Sequence, residues 1–404
     1  LDVLHLEQFE KSIDTYKALQ RLDPSNPVYA SNLSIGLARQ HKFLAAIRAC
    51  KHALVVKPDY GFAYNNLAGA FRDLGEIPRS AEFYLRGSLV SPDKALFRWG
   101  LSIVSLMLGD FENGWALYES GFDCGERSPR SFGSPQWTGA MGLKGKKLLI
   151  HTEQGFGDSI QMARYLIDPA LTDLDIILEV EDTLIPLLMD LRSGLKLIRK
   201  GDTPPPHDFH CPMMSLPLAF KTVLKSVPRQ TPYLKVKPDK RAEWQSRLGV
   251  ASKFRVGIAW SGNPAHKNDR QRSIPFSDLK SLFSCDAEFH TIQKDIQPEA
   301  LHQARAIPNL FMHAEDLSDF SDTAALIDAM DLIISVDTSV AHLSGALGKP
   351  TFLMISYVPD FRWLLDREDS VWYPSFRLFR QESSGDWSSV MDRVMAAFQK
   401  LTRG

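Results

Sequence analysis

The chain has 404 residues, of which 44% are hydrophobic and 24% charged, as in ordinary globular proteins with two or three domains. A net charge of −1 argues against a general nucleic-acid binder, so an anionic ligand would need a local cluster of cations or amides. The four cysteines form no CxxC pair, and no apolar run approaches the roughly 20 residues of a membrane helix. These features predict a cytoplasmic protein without a zinc ribbon, a disulfide scaffold or a membrane span.

A repeat of 34 residues occupies the first third of the chain. Pro24, Pro58 and Pro92 recur at that interval, and small or aromatic residues recur at fixed positions between them. The pattern resembles the tetratricopeptide repeat, a pair of helices that pack closely through small side chains. Residues 7–24 fit only the second helix of a repeat, so the array is expected to begin mid-repeat and to be truncated upstream.

Asn32 and Asn66 occupy equivalent positions in the first helices of two successive repeats. The array is similar in this respect to that of O-GlcNAc transferase, where a ladder of asparagines holds acceptor peptide. The resemblance implies that Asn32 and Asn66 bind an acceptor. The alternative is that asparagine is simply common at this position of the repeat, and Gly100 replaces it in the third copy.

Glycine, serine and proline are dense from residue 121 to residue 145, which predicts a domain boundary. We expect repeats over 1–124 and a linker over 125–144. A buried strand is predicted over 146–150, followed by a glycine turn from Gly155 to Gly157 and a helix that Asp158 opens.

The remainder of the first α/β half, 145–236, should contain strands over 175–180 and 195–198 and a helix over 183–191. A proline-rich loop should then lead into a short helix. His207 and His210 lie in that loop without a third ligand at usable spacing, so no metal site is predicted.

A second α/β half is predicted over 237–380, with a closing helix in 381–404. Its first strand, 254–260, ends at a Ser261-Gly262 turn, and a loop carrying Lys267 and Arg272 follows. The next strand, 289–292, ends at Gln293 and Lys294. Ligands bind at such carboxyl ends in doubly wound sheets.

Two further segments complete the second half. A helix after residue 319 should be capped by Ser321 or Asp322, and Asp319 and Asp322 are expected to be capping and turn residues rather than catalytic acids. Aromatic and arginine residues alternate from Phe361 to Tyr373, which fits either the lining of a sugar or base pocket or packing against the sheet.

The most informative stretch runs from Ser335 to Phe352. An apolar strand over 331–336 is followed by Asp337, Thr338 and Ser339, then by a helix of small residues that Gly348 and Pro350 stop. Another strand follows over 351–355. The start of such a helix attracts phosphate through its free amides and its dipole.

This stretch, VDTSVAHLSGALGKPTF, resembles the D-T-G-x-x-H-x-A-x-A-x-G-x-P signature of the lipopolysaccharide heptosyltransferase family. The Gly155–Asp158 turn is similar to that family's glycine–aspartate turn. The resemblance implies a GT-B fold of two Rossmann-type domains and a nucleotide-sugar donor, with Asp158 as catalytic base and Glu153 in reserve. The implied donor-binding residues are Gly157, Ser261, Gly262, Lys267, Arg272, Gln293, Lys294, Asp337, Thr338, Ser339 and His342, with Ser339 in place of the family's glycine.

A repeat array fused to such a module resembles O-GlcNAc transferase and bacterial flagellin-modifying transferases. The resemblance implies an inverting, metal-independent glycosyltransferase without a further cofactor, acting on flagellin or another bacterial protein recruited by the repeats. Two alternatives stay open: an inactive repeat scaffold with a vestigial transferase half, and a GT-B-fold sugar-nucleotide epimerase. A purely structural role for Asp158, at the positive end of a helix dipole, also stays open.

Overall fold

The computed structural model describes residues 3–140, 142–265 and 268–403, and its chain forms two compact units. The first unit contains the residues up to Pro129 together with Val358–Leu365. The second contains Arg130–Tyr357 and the residues from Asp366 onward. The first unit is helical and the second is α/β.

The helices of the first unit recur with the predicted period. Alternate helices begin at Pro27, Gly61 and Ala95, 34 residues apart (61 − 27 and 95 − 61). This confirms the tetratricopeptide-type array. The helices are α1 (Val3–Leu22), α2 (Pro27–Arg39), α3 (Phe43–Val56), α4 (Gly61–Asp73), α5 (Ile77–Val90), α6 (Ala95–Met107), α7 (Phe111–Tyr118) and α8 (Ser120–Cys124).

Small residues bring these helices into close contact. Ala30, Ala53 and Ala63 are fully buried where neighbouring helices cross. A methyl group at Gly100 would lie 2.1 Å from the ring of Tyr84, so a larger residue there would separate α5 from α6.

Val358–Leu365, which the chain connectivity places between two strands of the second unit, packs on the end of the helical array. The ring of Phe361 lies edge-on to Trp115 and Tyr118, with centroid distances of 5.6 and 6.1 Å. The alternating aromatic and arginine residues of this stretch indicate pocket lining or packing against the sheet, and both interpretations were wrong for Phe361. Its aromatic ring covers the last repeat instead.

Within the described part of the second unit, the strands form two parallel sheets. The first sheet has the order β3-β2-β1-β4, and the second has the order β10-β9-β8-β5-β6-β7. This topology confirms the prediction of two Rossmann-type halves. The strands are β1 (Lys147–His151), β2 (Asp175–Val180), β3 (Lys196–Arg199), β4 (Phe209–Pro212), β5 (Arg255–Ala259), β6 (Glu288–Thr291), β7 (Leu310–Phe311), β8 (Leu332–Val336), β9 (Thr351–Ile355) and β10 (Phe376–Arg380).

The central strands β5 and β8 are buried along their whole length, which is why they read as continuous apolar runs. The helices of this unit are α9 (Phe156–Met162), α10 (Ile185–Leu188), α11 (Leu216–Ala219), α12 (Pro238–Leu248), α13 (Asp269–Arg272), α14 (Pro298–Arg305), α15 (Phe320–Asp328), α16 (Ser339–Ala346) and α17 (Trp387–Arg403).

Several predicted boundaries need correction. The helix expected over 183–191 is only the short α10 with a preceding 3-10 turn. The cap of α15 is Asp319, whose carboxylate accepts from the amides of Ser321 and Asp322. The strands β4 and β10 were not predicted.

The segment after the repeats is bound to the first sheet. The amide of Trp137 donates to the carbonyl of His210 in β4, at 2.7 Å. Arg130 forms an ion pair with the fully buried carboxylate of Glu179 in β2, at 2.8 Å. Part of the predicted linker is therefore an ordered edge of this sheet. No helix of sufficient length and apolarity to cross a bilayer is found over the described ranges.

Candidate functional site

The second sheet has a topological switch point between β5 and β8. These two neighbouring strands continue to opposite edges of the sheet, to β6 on one side and to β9 on the other. A crevice forms at the carboxyl ends of such a pair, and ligands of doubly wound proteins bind there. The structure brings the Ser261-Gly262 turn and Asp337, Thr338 and Ser339 to this one place.

The helix start at this switch point is open. Thr338 is the N-cap of α16, but its side chain makes no capping hydrogen bond. Thr338 is only 9% exposed, and its Oγ1 has no hydrogen-bond partner within the described residues. A buried hydroxyl and the first amides of a helix together suit an anionic ligand.

Arg272 supplies a positive charge beside this helix start. Its Nη1 donates to the carbonyl of Asp337 at 3.1 Å, and its Nε lies 3.3 Å from a carboxylate oxygen of Asp269. Its guanidinium also covers Gly262, where a methyl group would lie 2.5 Å from Nη2. Glycine at 262 therefore lets the cation reach the switch point.

Gln293 holds the turn after β5. Its Oε1 accepts from the amides of Trp260 and Ser261, and its Nε2 donates to the hydroxyl of Ser261 at 2.9 Å. Lys294 next to it is exposed. Lys267, the third cation predicted for this edge, lies outside the described residues.

The first sheet has its own switch point, between β1 and β4. Glu153, which follows β1, spans it: the two oxygens of its carboxylate accept from the amides of Met213 and Met214, at 3.1 and 3.2 Å. These amides begin the 3-10 turn that follows β4. The reserve catalytic candidate is thus engaged in joining two strand ends.

Asp158 is the third residue of α9 and does not open it, because Gly155 is the N-cap. Its Oδ2 accepts from the amide of Gly155 at 2.8 Å, and the side chain is partly exposed. A carboxylate in this position stabilises the helix start, and its partial exposure leaves it accessible to a substrate.

The helix starts of the two halves meet. A methyl group at Gly157 of α9 would lie 2.8 Å from Cδ2 of His342 and 3.5 Å from the Cα of Ser339. Gly157 therefore permits α9 and α16 to touch. The two motifs noted in the sequence, 180 residues apart, form one site at this contact.

His342 contacts Tyr373, from the alternating aromatic stretch, and Asp337, a predicted donor-binding residue. Its Nδ1 lies 3.0 Å from the hydroxyl of Tyr373, and its Nε2 lies 3.9 Å from a carboxylate oxygen of Asp337. Beyond Tyr373 lies Arg164, buried to 3% exposure. An arginine inside the apolar run from Ile160 to Ile167 was the signal that could have identified this residue.

The predicted acceptor-binding asparagines bind within the array. Nδ2 of Asn32 donates to the hydroxyl of Tyr16 at 3.1 Å. Nδ2 of Asn66 donates to both the carbonyl and the hydroxyl of Ser31. Both amides therefore connect adjacent helices, and a role in acceptor binding stays a prediction.

His207 and His210 lie with His151 around the ring of Phe132. Burial and the neighbouring His207 lower the pKa of His210, which favours neutral imidazole. Across the described residues, the structure has no group of three or more His, Cys, Asp or Glu side chains that could hold a metal ion.

Comparison with known proteins places relatives on both parts of the chain. No family model matches. Protein FlbA of Caulobacter vibrioides is 27% identical over 425 residues, covering 98% of this chain and 70% of FlbA.

Two solved structures match the α/β part. A glycosyl transferase family 9 protein from Veillonella parvula is 11% identical and covers 66% of this chain and 99% of its own, with a TM-score of 0.48. The ADP-heptose lps heptosyltransferase II of E. coli is 13% identical and covers 64% and 98%, with a TM-score of 0.42.

Proposed function

We propose that the protein is a glycosyltransferase that moves a sugar from a nucleotide-sugar donor to a protein acceptor. The observation that carries the proposal is the open helix start of α16 at the switch point between β5 and β8, where the buried hydroxyl of Thr338 has no partner among the described residues. This is the position at which such sheets bind nucleotides. The proposed donor phosphate lies on the first amides of α16.

The charges around this helix start support the choice of ligand. Arg272 contributes a fixed guanidinium, and the dipole of α16 adds a partial positive charge. Both would stabilise the negative charge that develops on the departing nucleoside phosphate. With these groups in place the proposal needs no metal ion.

The reaction is a single displacement. The acceptor hydroxyl oxygen forms a bond to the anomeric carbon while the bond from that carbon to the donor phosphate breaks, so the configuration inverts. The hydroxyl proton passes to the carboxylate of Asp158, and the nucleoside phosphate leaves with the bonding electrons. Asp158 suits this role because α9, which carries it, touches α16 at Gly157.

The repeat array is proposed to recruit the acceptor. Its closely packed helix pairs form the kind of scaffold on which tetratricopeptide repeats present a continuous binding surface. The acceptor is proposed to be flagellin or another bacterial protein.

Mass spectrometry of proteins from cells with and without the gene tests this proposal. We expect one or more proteins to lose a sugar mass in the deletion strain and to regain it with the wild-type gene. Asp158→Asn should reduce transfer by roughly 10²- to 10⁴-fold, because the general base is lost. Asp168→Asn is the matched control, since its carboxylate also accepts a local amide, that of Ala170, but away from either switch point.

Unchanged glycosylation in the deletion strain would exclude the transferase. Full transfer by Asp158→Asn would instead remove only that residue as the base.

A further inference from the structure

Arg164 is a buried cation that has no acidic partner in the part of the chain that the structure describes. Its guanidinium donates to the carbonyls of Gln161, Pro228 and Trp372, at 2.8 to 2.9 Å. Its Nη2 also lies 3.3 Å from the hydroxyl of Tyr233. Because burying a charge is unfavourable, such an arrangement indicates a role beyond filling space.

The guanidinium lies in an aromatic box. Its central carbon is 4.6 Å from the ring centroid of Tyr373 and 4.9 Å from that of Tyr233. The hydroxyl of Tyr233 donates its own proton to the carbonyl of Ile160 at 3.0 Å. Arginine has donors only, so it cannot accept the proton of Tyr373.

The hydroxyl of Tyr373 is within hydrogen-bond reach of two acceptors, the hydroxyl of Tyr233 and Nδ1 of His342. Burial, followed by the neighbouring Tyr233, raises the pKa of Tyr373 well above its usual value, so the phenol keeps its proton. Nδ1 of His342 lies 3.0 Å away, and an imidazole nitrogen is a much stronger base than a phenol oxygen. A guanidinium beside a phenol also makes that phenol a better donor.

We propose that Tyr373, supported by Arg164, donates to Nδ1 of His342 and so fixes the imidazole as its Nε2–H tautomer. Nε2 is the nitrogen on the side of Asp337, at the start of α16. His342 then presents a neutral N–H donor to the donor phosphate, instead of a lone pair that would repel it. Tyr373 and Arg164 are positioning residues in this scheme. It rests on the proposed nucleotide-sugar site, because it names the group that His342 offers to that ligand.

The tautomer can be measured directly by NMR on the full chain with ¹⁵N-labelled histidine, with His342→Gln to assign the resonances. We expect Nδ1 of His342 in the unprotonated range and Nε2 in the protonated range. A protonated Nδ1 in the wild-type protein overturns the inference. This spectrum needs no ligand and no variant of Tyr373, so it decides the tautomer even if such a variant does not fold.

Nucleotide titration tests the consequence for binding. UDP, GDP, ADP and CMP serve as probes. Tyr373→Phe should raise the dissociation constant of whichever probe binds by about five- to tenfold, the effect of one hydrogen bond. Tyr165→Phe is the matched control, since it loses a buried hydroxyl that bonds to Thr222 at 2.8 Å. It should bind within about twofold of wild type.

The outcomes separate this inference from the proposed function. If none of the probes binds while Nδ1 is unprotonated, the donor site fails and the tautomer assignment stands. If a probe binds and Tyr373→Phe changes neither the affinity nor the tautomer, the assignment fails and the donor site stands.

Discussion

The two switch points of the α/β unit share one topology but differ in how their polar groups are satisfied. Between β1 and β4, the carboxylates of Glu153 and Asp158 accept from backbone amides of the site itself. Between β5 and β8, the hydroxyl of Thr338 is buried without a partner within the described residues, and α16 begins without a side-chain cap. The switch point between β1 and β4 therefore carries negative charge, whereas the one between β5 and β8 suits a negatively charged ligand.

This difference indicates separate roles for the two switch points. Under the proposed function, the nucleotide phosphate binds at α16 and not beside the acids at α9, which would face the acceptor hydroxyl instead. Both switch points follow the same strand–turn–helix pattern. The proposed assignment of the donor to one and the acceptor to the other therefore rests on their side chains, not on the fold.

The largest expected effect comes from placing a charge on the open helix start. Ser339→Asp puts a carboxylate where the donor phosphate is proposed to bind, so nucleotide affinity should fall by about 100-fold or more, roughly 2.7 kcal/mol. The free energy of unfolding should rise by about 0.3–1 kcal/mol, because an acid favours a helix start. Calorimetric titration and thermal unfolding measure the two effects, with Ser339→Ala as control.

Acidification should lower the free energy of unfolding, through His290 and His313 of the second α/β half. These rings stack within the sheet, 3.0 Å apart between Nδ1 and Nε2. Burial, then His313 and Arg255, lowers the pKa of His290 from 6.5 to about 3, against an opposing effect of Glu288, and burial also lowers the pKa of His313.

Because the folded-state pKa is depressed, the unfolded chain takes up protons first as the pH falls. Stability should be fully present above about pH 6.5 and should decline toward pH 3, by roughly 1.4 kcal/mol per pH unit for His290 alone. His290→Phe should flatten this slope and the exposed His302→Gln should not, as urea titrations at several pH values would show. An equally steep slope in His290→Phe would contradict the account.

The contact between the two helix starts should be sensitive to one methyl group. Gly157→Ala would place Cβ 2.8 Å from Cδ2 of His342 and displace that ring, so nucleotide affinity should fall by about tenfold. At Gly155 the nearest atom to a methyl group is Oδ2 of Asp158 at 3.3 Å, and the backbone is extended. Gly155→Ala should therefore bind nucleotide like the wild type; an equal loss in both variants would show that the contact is not specific.

The smallest effects should have opposite signs at the two helix starts. Thr338→Val removes a buried hydroxyl that has no partner in the described ranges, so stability should stay constant or rise by about 1 kcal/mol while affinity falls. Asp158→Ala removes the acceptor for the amide of Gly155 and should lower stability by about 1 kcal/mol. Thermal unfolding without ligand compares them, and destabilisation by both would mean that neither helix start is open.

Much of the fold could be predicted because its signals are local. The 34-residue period follows from small residues at helix contacts, and β8, α16 and β9 were predicted within two residues because Gly348 and Pro350 end the helix. The half-buried β4, with the sequence Phe-His-Cys-Pro, follows a proline-rich loop and carries no strand pattern. The sequence has three polar candidates for the cap of α15, namely Asp319, Ser321 and Asp322, and could not reveal which one it is.

The site was predictable only where its residues follow the strands directly. Thr338 and Gly157 could be proposed from turns in the sequence. The apolar run around Arg164 marks that residue as unusual but does not reveal its partners, because its contact with the carbonyl of Trp372 joins residues 208 positions apart. Glu153 and Gln293 were proposed for the site, but their bonds to backbone amides that follow neighbouring strands could not be predicted.

Calorimetric titration of the full chain with UDP, GDP, ADP and CMP tests the central claim most directly. The account predicts that at least one of them binds with one site per chain, and that Ser339→Asp weakens this binding by about 100-fold or more while the variant remains folded. Absence of binding by all four, or equal binding to Ser339→Asp, would contradict a donor site at the start of α16.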